Sequence, residues 1–230
     1  MHPRRILITV VVAVSMAVIG TAQVGSPARA ANNSAGEVAV PQSVLNSLTA
    51  EPDRDFHRAA DLYIKGDAQG SASAIRAASA LIRIEAGRGS AQDAAKLGTA
   101  ASNLDTLADN VVAGNVGSRR DLELTFARAD LALAIHYRSM ADRALADKDR
   151  ANAARWLKAA SDSVDEAAAW TGQSPSGAQA QVWDQTHALQ TKLRAGANWS
   201  YSEAKTGVGY LGTQIEYLGQ QMQTFGGAKK

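Results

Sequence analysis

The chain has 230 residues, with 24 basic and 22 acidic side chains, four histidines and no cysteine, for a formal charge of +2. The absence of thiols excludes disulfide frameworks, thiolate metal sites and cysteine-attached haem, and the near-balance of charge excludes the broad cationic field that steers proteins onto nucleic acid. A chain this long can bury a hydrophobic core without covalent staples.

Residues 1–30 read as a signal peptide: Arg4 and Arg5 are its basic start, Ile6 to Gly20 its apolar centre, and Ala28-Arg29-Ala30 a small-x-small cleavage site. The apolar run falls short of the ~20 residues of a membrane-spanning helix. The expected location is therefore periplasmic or secreted, in a bacterium, with no integral membrane span after cleavage behind Ala30. Cleavage removes three of the basic side chains, Arg4, Arg5 and Arg29, and no acidic one, so the charge moves from +2 to −1. Residues 31–50 are small and polar and read as a flexible tether.

From Glu51-Pro52-Asp53 onward the chain reads as helix after helix, with proline and carboxylates suited to a first turn. Phe56, Ala59, Ala60, Tyr63 and Ile64 form the apolar side of the first helix, which stops at Lys65-Gly66-Asp67. The next runs to about Ala86 on Ile75, Ala78, Leu81 and Ile82, and ends at Gly87-Arg88-Gly89. Ser90 caps a third, which carries Ala94, Leu97, Ala101, Leu104, Leu107 and Val111 up to the break at Asn115 to Gly117. A long hairpin then occupies about 118–170. Its first arm buries Leu122, Phe126, Ala129, Leu133, His136, Met140 and Ala144, its second Ala153, Trp156, Leu157, Ala160, Val164 and Ala167. After the loop at 171–177 a final helix starts near Ala178 on Val182, Thr186, Leu189 and Leu193, with Gly196 a point of bending, and the spacing resumes after Gly207 at Leu211, Ile215, Leu218 and Met222. Residues 225–230 read as a frayed tail. No run alternates as a strand does. The expected fold is all-α: one antiparallel helical bundle over 51–224, built from helical hairpins.

At an offset of 82 residues LYIKGDAQGSASAIRAAS (62–79) lies over ALADKDRANAARWLKAAS (144–161). Both segments are helix, charged turn, helix, which suggests duplication, while the regular 34-residue period of tetratricopeptide arrays is missing.

Few groups suggest chemistry. His57 with Asp61 and Asp184 with His187 stand one helical turn apart, and with His136 they are the weak candidates for metal ligands. None completes a site, and His136 falls on an apolar stripe, as expected of a core histidine hydrogen-bonded to a neighbour. Asp162, Asp165 and Glu166 read as solvated carboxylates. No nucleophile elbow, zinc-protease or phosphate-loop motif is present, so no cofactor and no catalytic residue is expected. Trp156, Trp170, Trp183 and Trp199, with Tyr201 beside the last, concentrate in the final third of the chain. They serve either as bulk in an alanine-rich core or as a groove for an apolar peptide or small molecule.

Two segments resemble the YfdX family of exported bacterial proteins: AADLYIKGDAQGSASAIRAASALI (59–82), with its Gly-Asp turn, and LELTFARADLALAIHYRSMADRALADKDRANAARWLKAASDSV (122–164), above all the run from Ala151 to Ala160. Where the family favours a Gly-Lys-Tyr-Tyr turn, this chain has Asp147-Lys148-Asp149. The resemblance implies a periplasmic, mainly helical, stress-related protein of chaperone-like or small-molecule-binding character, without agreed catalytic residues. The expected function is thus an exported, non-enzymatic binding protein for other proteins or small apolar ligands. The alternative is a structural or assembly component of the envelope, and a metal-binding protein or enzyme comes third.

Overall fold

Capping side chains and left-handed residues set the helix ends of this chain, and the structure uses nearly all that the sequence offers. A computed structural model describes residues 51–195 and 198–226. They form seven helices: α1 Glu51–Ile64, α2 Ala68–Ala86, α3 Ala91–Val112, α4 Arg119–Ala146, α5 Arg150–Thr171, α6 Ala178–Arg194 and α7 Tyr201–Gly226. Among the described residues there is no strand, and no helix is long and apolar enough to cross a membrane. The expected signal peptide and tether lie outside the described residues. Of the tail expected over 225–230, residues 225 and 226 belong to α7, and the rest lie outside the described residues.

Successive helices pack as neighbours from α1 to α5, and α7 returns to lie against α4, α5 and α6. The most extensive contact is between α4 and α5. They run antiparallel, since Arg120 near the start of α4 donates to the carbonyls of Trp170 and Thr171 at the end of α5, while Tyr137 stacks on Trp156 further along. Because α4 touches α1, α3, α5 and α7, it is buried on more than one face. Leu122, Phe126, Leu133 and Ala141 share the interior with Asp130, His136 and Tyr137. Alanines let these helices approach closely, and Phe56, Phe126, Trp156 and Trp170 supply the volume that alanine lacks.

Three expectations change in detail. Ile64 is 56% exposed, because α1 ends there and the last side chain to reach across is Tyr63, whose hydroxyl donates to the Val116 carbonyl. The final helix is two helices, α6 and α7, separated after Arg194. On α6 the buried positions are Trp183, Thr186 and Gln190, with Val182, Leu189 and Leu193 only half-buried. The large indole takes the core-facing place. α7 runs straight through Gly207, where a Cβ would stand 2.2 Å from Leu189 Cδ2. There glycine serves close helix approach rather than a bend.

The two hairpins of the 82-residue repeat close with the same turn. Gly66 N donates to Tyr63 O (3.0 Å) and Asp67 N to Leu62 O (2.9 Å); at the matching positions Lys148 N donates to Leu145 O (3.1 Å) and Asp149 N to Ala144 O (2.8 Å). In each, the aspartate then caps the following helix, Asp67 accepting from Gly70 N and Asp149 from Asn152 N. The left-handed residue is Gly66 in the first turn (φ 77°) and Lys148 in the second (φ 57°), the one non-glycine residue with positive φ among the described residues. A side chain in that region carries a penalty that glycine avoids. Lys148→Gly is therefore expected to raise the unfolding free energy by about 0.5–1 kcal/mol, read as a higher urea midpoint at unchanged slope; an unchanged or lower midpoint would count against the turn assignment.

Candidate functional site

Polar groups inside an alanine-rich bundle are costly unless paired, so those that α4 carries inward mark the places where the fold does more than pack. The first group joins α1, α4 and α5. Asp130, fully buried on α4, turns its carboxyl toward Asp53 of α1. Two carboxylates accept but do not donate, so this contact closes as a hydrogen bond only when one of them holds a proton. Asp130 Oδ1 and Oδ2 and Asp53 Oδ1 have no donor among the described residues. Trp170 Nε1 of α5 lies beside Asp130 without closing a bond of its own. Burial first, and the charge of Asp53 second, hold the Asp130 carboxyl well above the ordinary range. Burial likewise pushes Asp53 up to about 6; the bond to Asp130 and the nearby His57 oppose it, and Glu166 and Asp162 reinforce it.

The second group lies two turns along α4. Glu85, at the end of α2, and Arg88, in the loop that follows, form an ion pair at 2.8 Å with side chains only 2% and 5% exposed. The guanidinium also sits 4.9 Å from the ring centroid of Trp156. His136 is fully buried with Nε2 3.5 Å from Glu85 Oε2, too long for a hydrogen bond, and neither ring nitrogen bonds to any described residue. Gly89 makes room for this ring, since a Cβ there would come within 3.0 Å of His136 Nδ1. The Tyr137 hydroxyl, buried and without a hydrogen-bond partner among the described residues, lies between the two groups. Burial, then the charge of Glu85, then those of Asp53 and Asp130, keep it protonated well above the usual tyrosine range, with Arg88 pulling the other way.

A third group ties α5 to α6. Asp165 accepts from Trp183 Nε1 at 3.0 Å and faces His187 Nε2 at 3.0 Å, while Gln190 donates to Asp162. Burial raises the Asp165 carboxyl, and the bonds from His187 and Trp183 resist that rise.

The outer surface is different in kind. Between α3 and α4 runs an open groove of about 540 Å³. Lys96, Thr99, Asn103, Thr106 and Asn110 line one wall, Asn115 one end, Asp121, Thr125 and Arg128 the other wall, over a floor that includes Ala100, Leu107, Ala129 and Ala132. It contains no aromatic ring and no histidine.

The residues singled out in the sequence are dispersed by the fold. Trp156, Trp170 and Trp183 are core residues, 3–6% exposed. They pack on Tyr137, on Phe126 and His57, and on Tyr217 respectively. Trp199 and Tyr201 are half-buried under the Arg150 guanidinium, and the Tyr201 hydroxyl donates to the Lys148 carbonyl. The five therefore line no common groove, because the interior needs the indole volume. His57 pairs with Glu166 at 3.0 Å rather than with Asp61, and His187 with Asp165 rather than Asp184. His136 is a core residue as expected, but without the expected hydrogen bond. The three histidines stand in three separate groups, and among the described residues no cluster of three or more metal-ligating side chains is arranged to hold an ion. Asp162, Asp165 and Glu166 are not simply solvated: each holds a partner on another helix. Asp53, Asp130, Glu85 and Arg88 were not marked by any sequence motif. The available signal was the step from Phe126 to Asp130, Leu133 and Tyr137, which sets a carboxylate on one helical face between large apolar residues.

No protein-family model, curated protein or solved structure matches the chain. The functional reading rests on the residues themselves.

Proposed function

We propose that this protein is an exported, non-enzymatic helical binding protein whose α3–α4 groove takes an extended stretch of another polypeptide. The lining of that groove carries the proposal. Three asparagines and three threonines offer donors and acceptors matched to peptide N–H and C=O groups, and the small apolar floor suits short side chains. The absence of an aromatic platform in the lining disfavours flat apolar ligands and sugars. Lys96 and Arg128 outnumber Asp121, whose carboxylate already accepts from its own cap, Ser118, so a segment with an acidic residue fits best. A non-enzymatic role is favoured because the groups whose acidity is shifted upward by burial, Asp53, Asp130, Tyr137 and Asp165, lie inside the bundle or between its helices, away from this groove. The resemblance to exported, chaperone-like proteins agrees with a polypeptide as ligand.

A photo-crosslinking amino acid placed at Asn103 or Asn110 is expected to capture polypeptide from an envelope extract, whereas the same group at Lys158, on the outer side of α5, is not. Thr106→Trp, which fills the groove from an exposed position, is expected to weaken binding of the captured segment more than about ten-fold while leaving stability within about 0.5 kcal/mol. Equal capture at Asn103 and Lys158, or undiminished binding by Thr106→Trp, would remove the groove from the function.

A further inference from the structure

We infer that the α3–α4 groove takes another polypeptide by its free N-terminus, the amine lying at the end where Asn115 meets Asp121 and an acidic residue further along lying between Lys96 and Arg128. This rests on the reading of the groove as a polypeptide site, and adds which part of the polypeptide enters and in which direction. The two walls run antiparallel: Asp93 at the start of α3 faces Arg143 near the end of α4 at 3.7 Å. The connection between the helices, through Asn115, Val116 and Gly117, lines the opposite end of the groove. A loop that joins both walls closes that end. Among the described residues no third helix or other loop lines the groove, so a chain can leave past Lys96 and Ala132.

Charge is sorted along the same axis. Asp121, the one acidic side chain in the lining, lies on the first turn of α4 beside the closed end. Its carboxylate accepts from Ser118 and, with about four lone-pair sites, can accept further. Arg128 follows Asp121 by about two turns of α4, and Lys96 precedes Asn110 by about four turns of α3, so the two cations stand roughly 10 and 21 Å from the closed end. The other carboxylates of α3 that could neutralise them, Asp93, Asp105 and Asp109, are engaged by Arg143, Arg83 and Arg76. Lys96 and Arg128 have no carboxylate partner among the described residues.

Hydrogen bonding selects the same orientation. The hydroxyls of Thr99, Thr106 and Thr125 donate back to the carbonyls of Ala95, Ser102 and Asp121, so toward the groove they only accept. At the closed end Asn110 and Asn115 add amide oxygens to the Asp121 carboxylate. An ammonium, with three donors and no acceptor, satisfies such an end; an internal peptide unit brings only one of each. Extended at about 3.3 Å per residue, the chain then reaches the interval between Arg128 and Lys96 at roughly its fourth to seventh residue.

Binding of dye-labelled heptapeptides by the full chain tests this, using alanine and serine with glutamate at the fifth position, either with a free amine or N-acetylated. The free amine is expected to bind at least about ten-fold more tightly, the contribution of one charge-assisted hydrogen bond. Asp121→Asn is expected to bring this preference within about two-fold. Arg128→Gln is expected to weaken the glutamate peptide about ten-fold while leaving a glutamine version unchanged. Equal binding of the free and acetylated forms overturns the proposal, as does binding of neither, or a preference that survives Asp121→Asn. The polypeptide reading is decided separately by the cross-link at Asn103: capture of internal segments there sustains that reading and overturns this one, whereas equal capture at Lys158 removes both. If Asp121→Asn does not fold, the acetylated peptide and Arg128→Gln still decide.

Discussion

Arg88→Ala is expected to lower the unfolding free energy by about 3–5 kcal/mol, the loss seen when one member of a buried ion pair is removed. Arg88 and Glu85 are almost wholly shielded from water, and the guanidinium bonds the carboxylate while lying on the Trp156 ring. Truncation leaves a carboxylate in the interior with only the His136 ring, 3.5 Å away, beside it in that group, and a gap over the indole. The replacement of both members by apolar residues of similar size, Glu85→Met with Arg88→Leu, is expected to recover most of the loss, because nothing charged is then left stranded. Urea unfolding of the two variants separates the contributions. If the double variant is as unstable as Arg88→Ala, packing on Trp156 rather than charge dominates at this site.

A loss of similar size, about 3–5 kcal/mol, is expected from Phe126→Ala, where a fully buried ring is removed and the helices around it cannot close the void. Phe126 stacks on Phe56 of α1 at 4.6 Å and meets the edge of Trp170 of α5 at 5.4 Å. It therefore holds three helices at one point, and Phe126→Leu is expected to cost a smaller share. A Phe126→Ala chain with wild-type stability would place the main attachment of α1 on α2 alone.

The helices and their order were legible because their punctuation is local. Ser90, Ser118, Asp67 and Asp149 cap in the structure as their side chains require, and the 118–170 hairpin follows from one unbroken 3.6-residue period on each arm. What local pattern could not supply was the number of neighbours around each helix. α4 reads as one apolar stripe through Leu122, Phe126, Ala129, Leu133 and His136, with Asp130 and Tyr137 along its edge; four helices surround it, so that edge is buried too. For the same reason the tryptophans were legible as bulk but not as separate contacts, and the exposed groove, made of unremarkable asparagines and threonines from α3 and α4, leaves no motif. Glu85 and Arg88 straddle a helix end, and charges there read by default as solvated. Only the closure of the α2–α3 loop over Trp156 and His136 removes them from water.

Since the helices from α1 to α5 pack mainly on their neighbours in sequence, most of their contacts join adjacent helices across a short loop, and the search for them is short. Helical chains of such low contact order assemble on the microsecond-to-millisecond scale. Besides the smaller contact of α1 with α4, the exception is α7, whose contacts with α4 and α5 span the stretch that includes α6 and are the last that a growing chain can make. The first five helices can therefore gather in order as they appear, and the arrival of α7 completes the assembly.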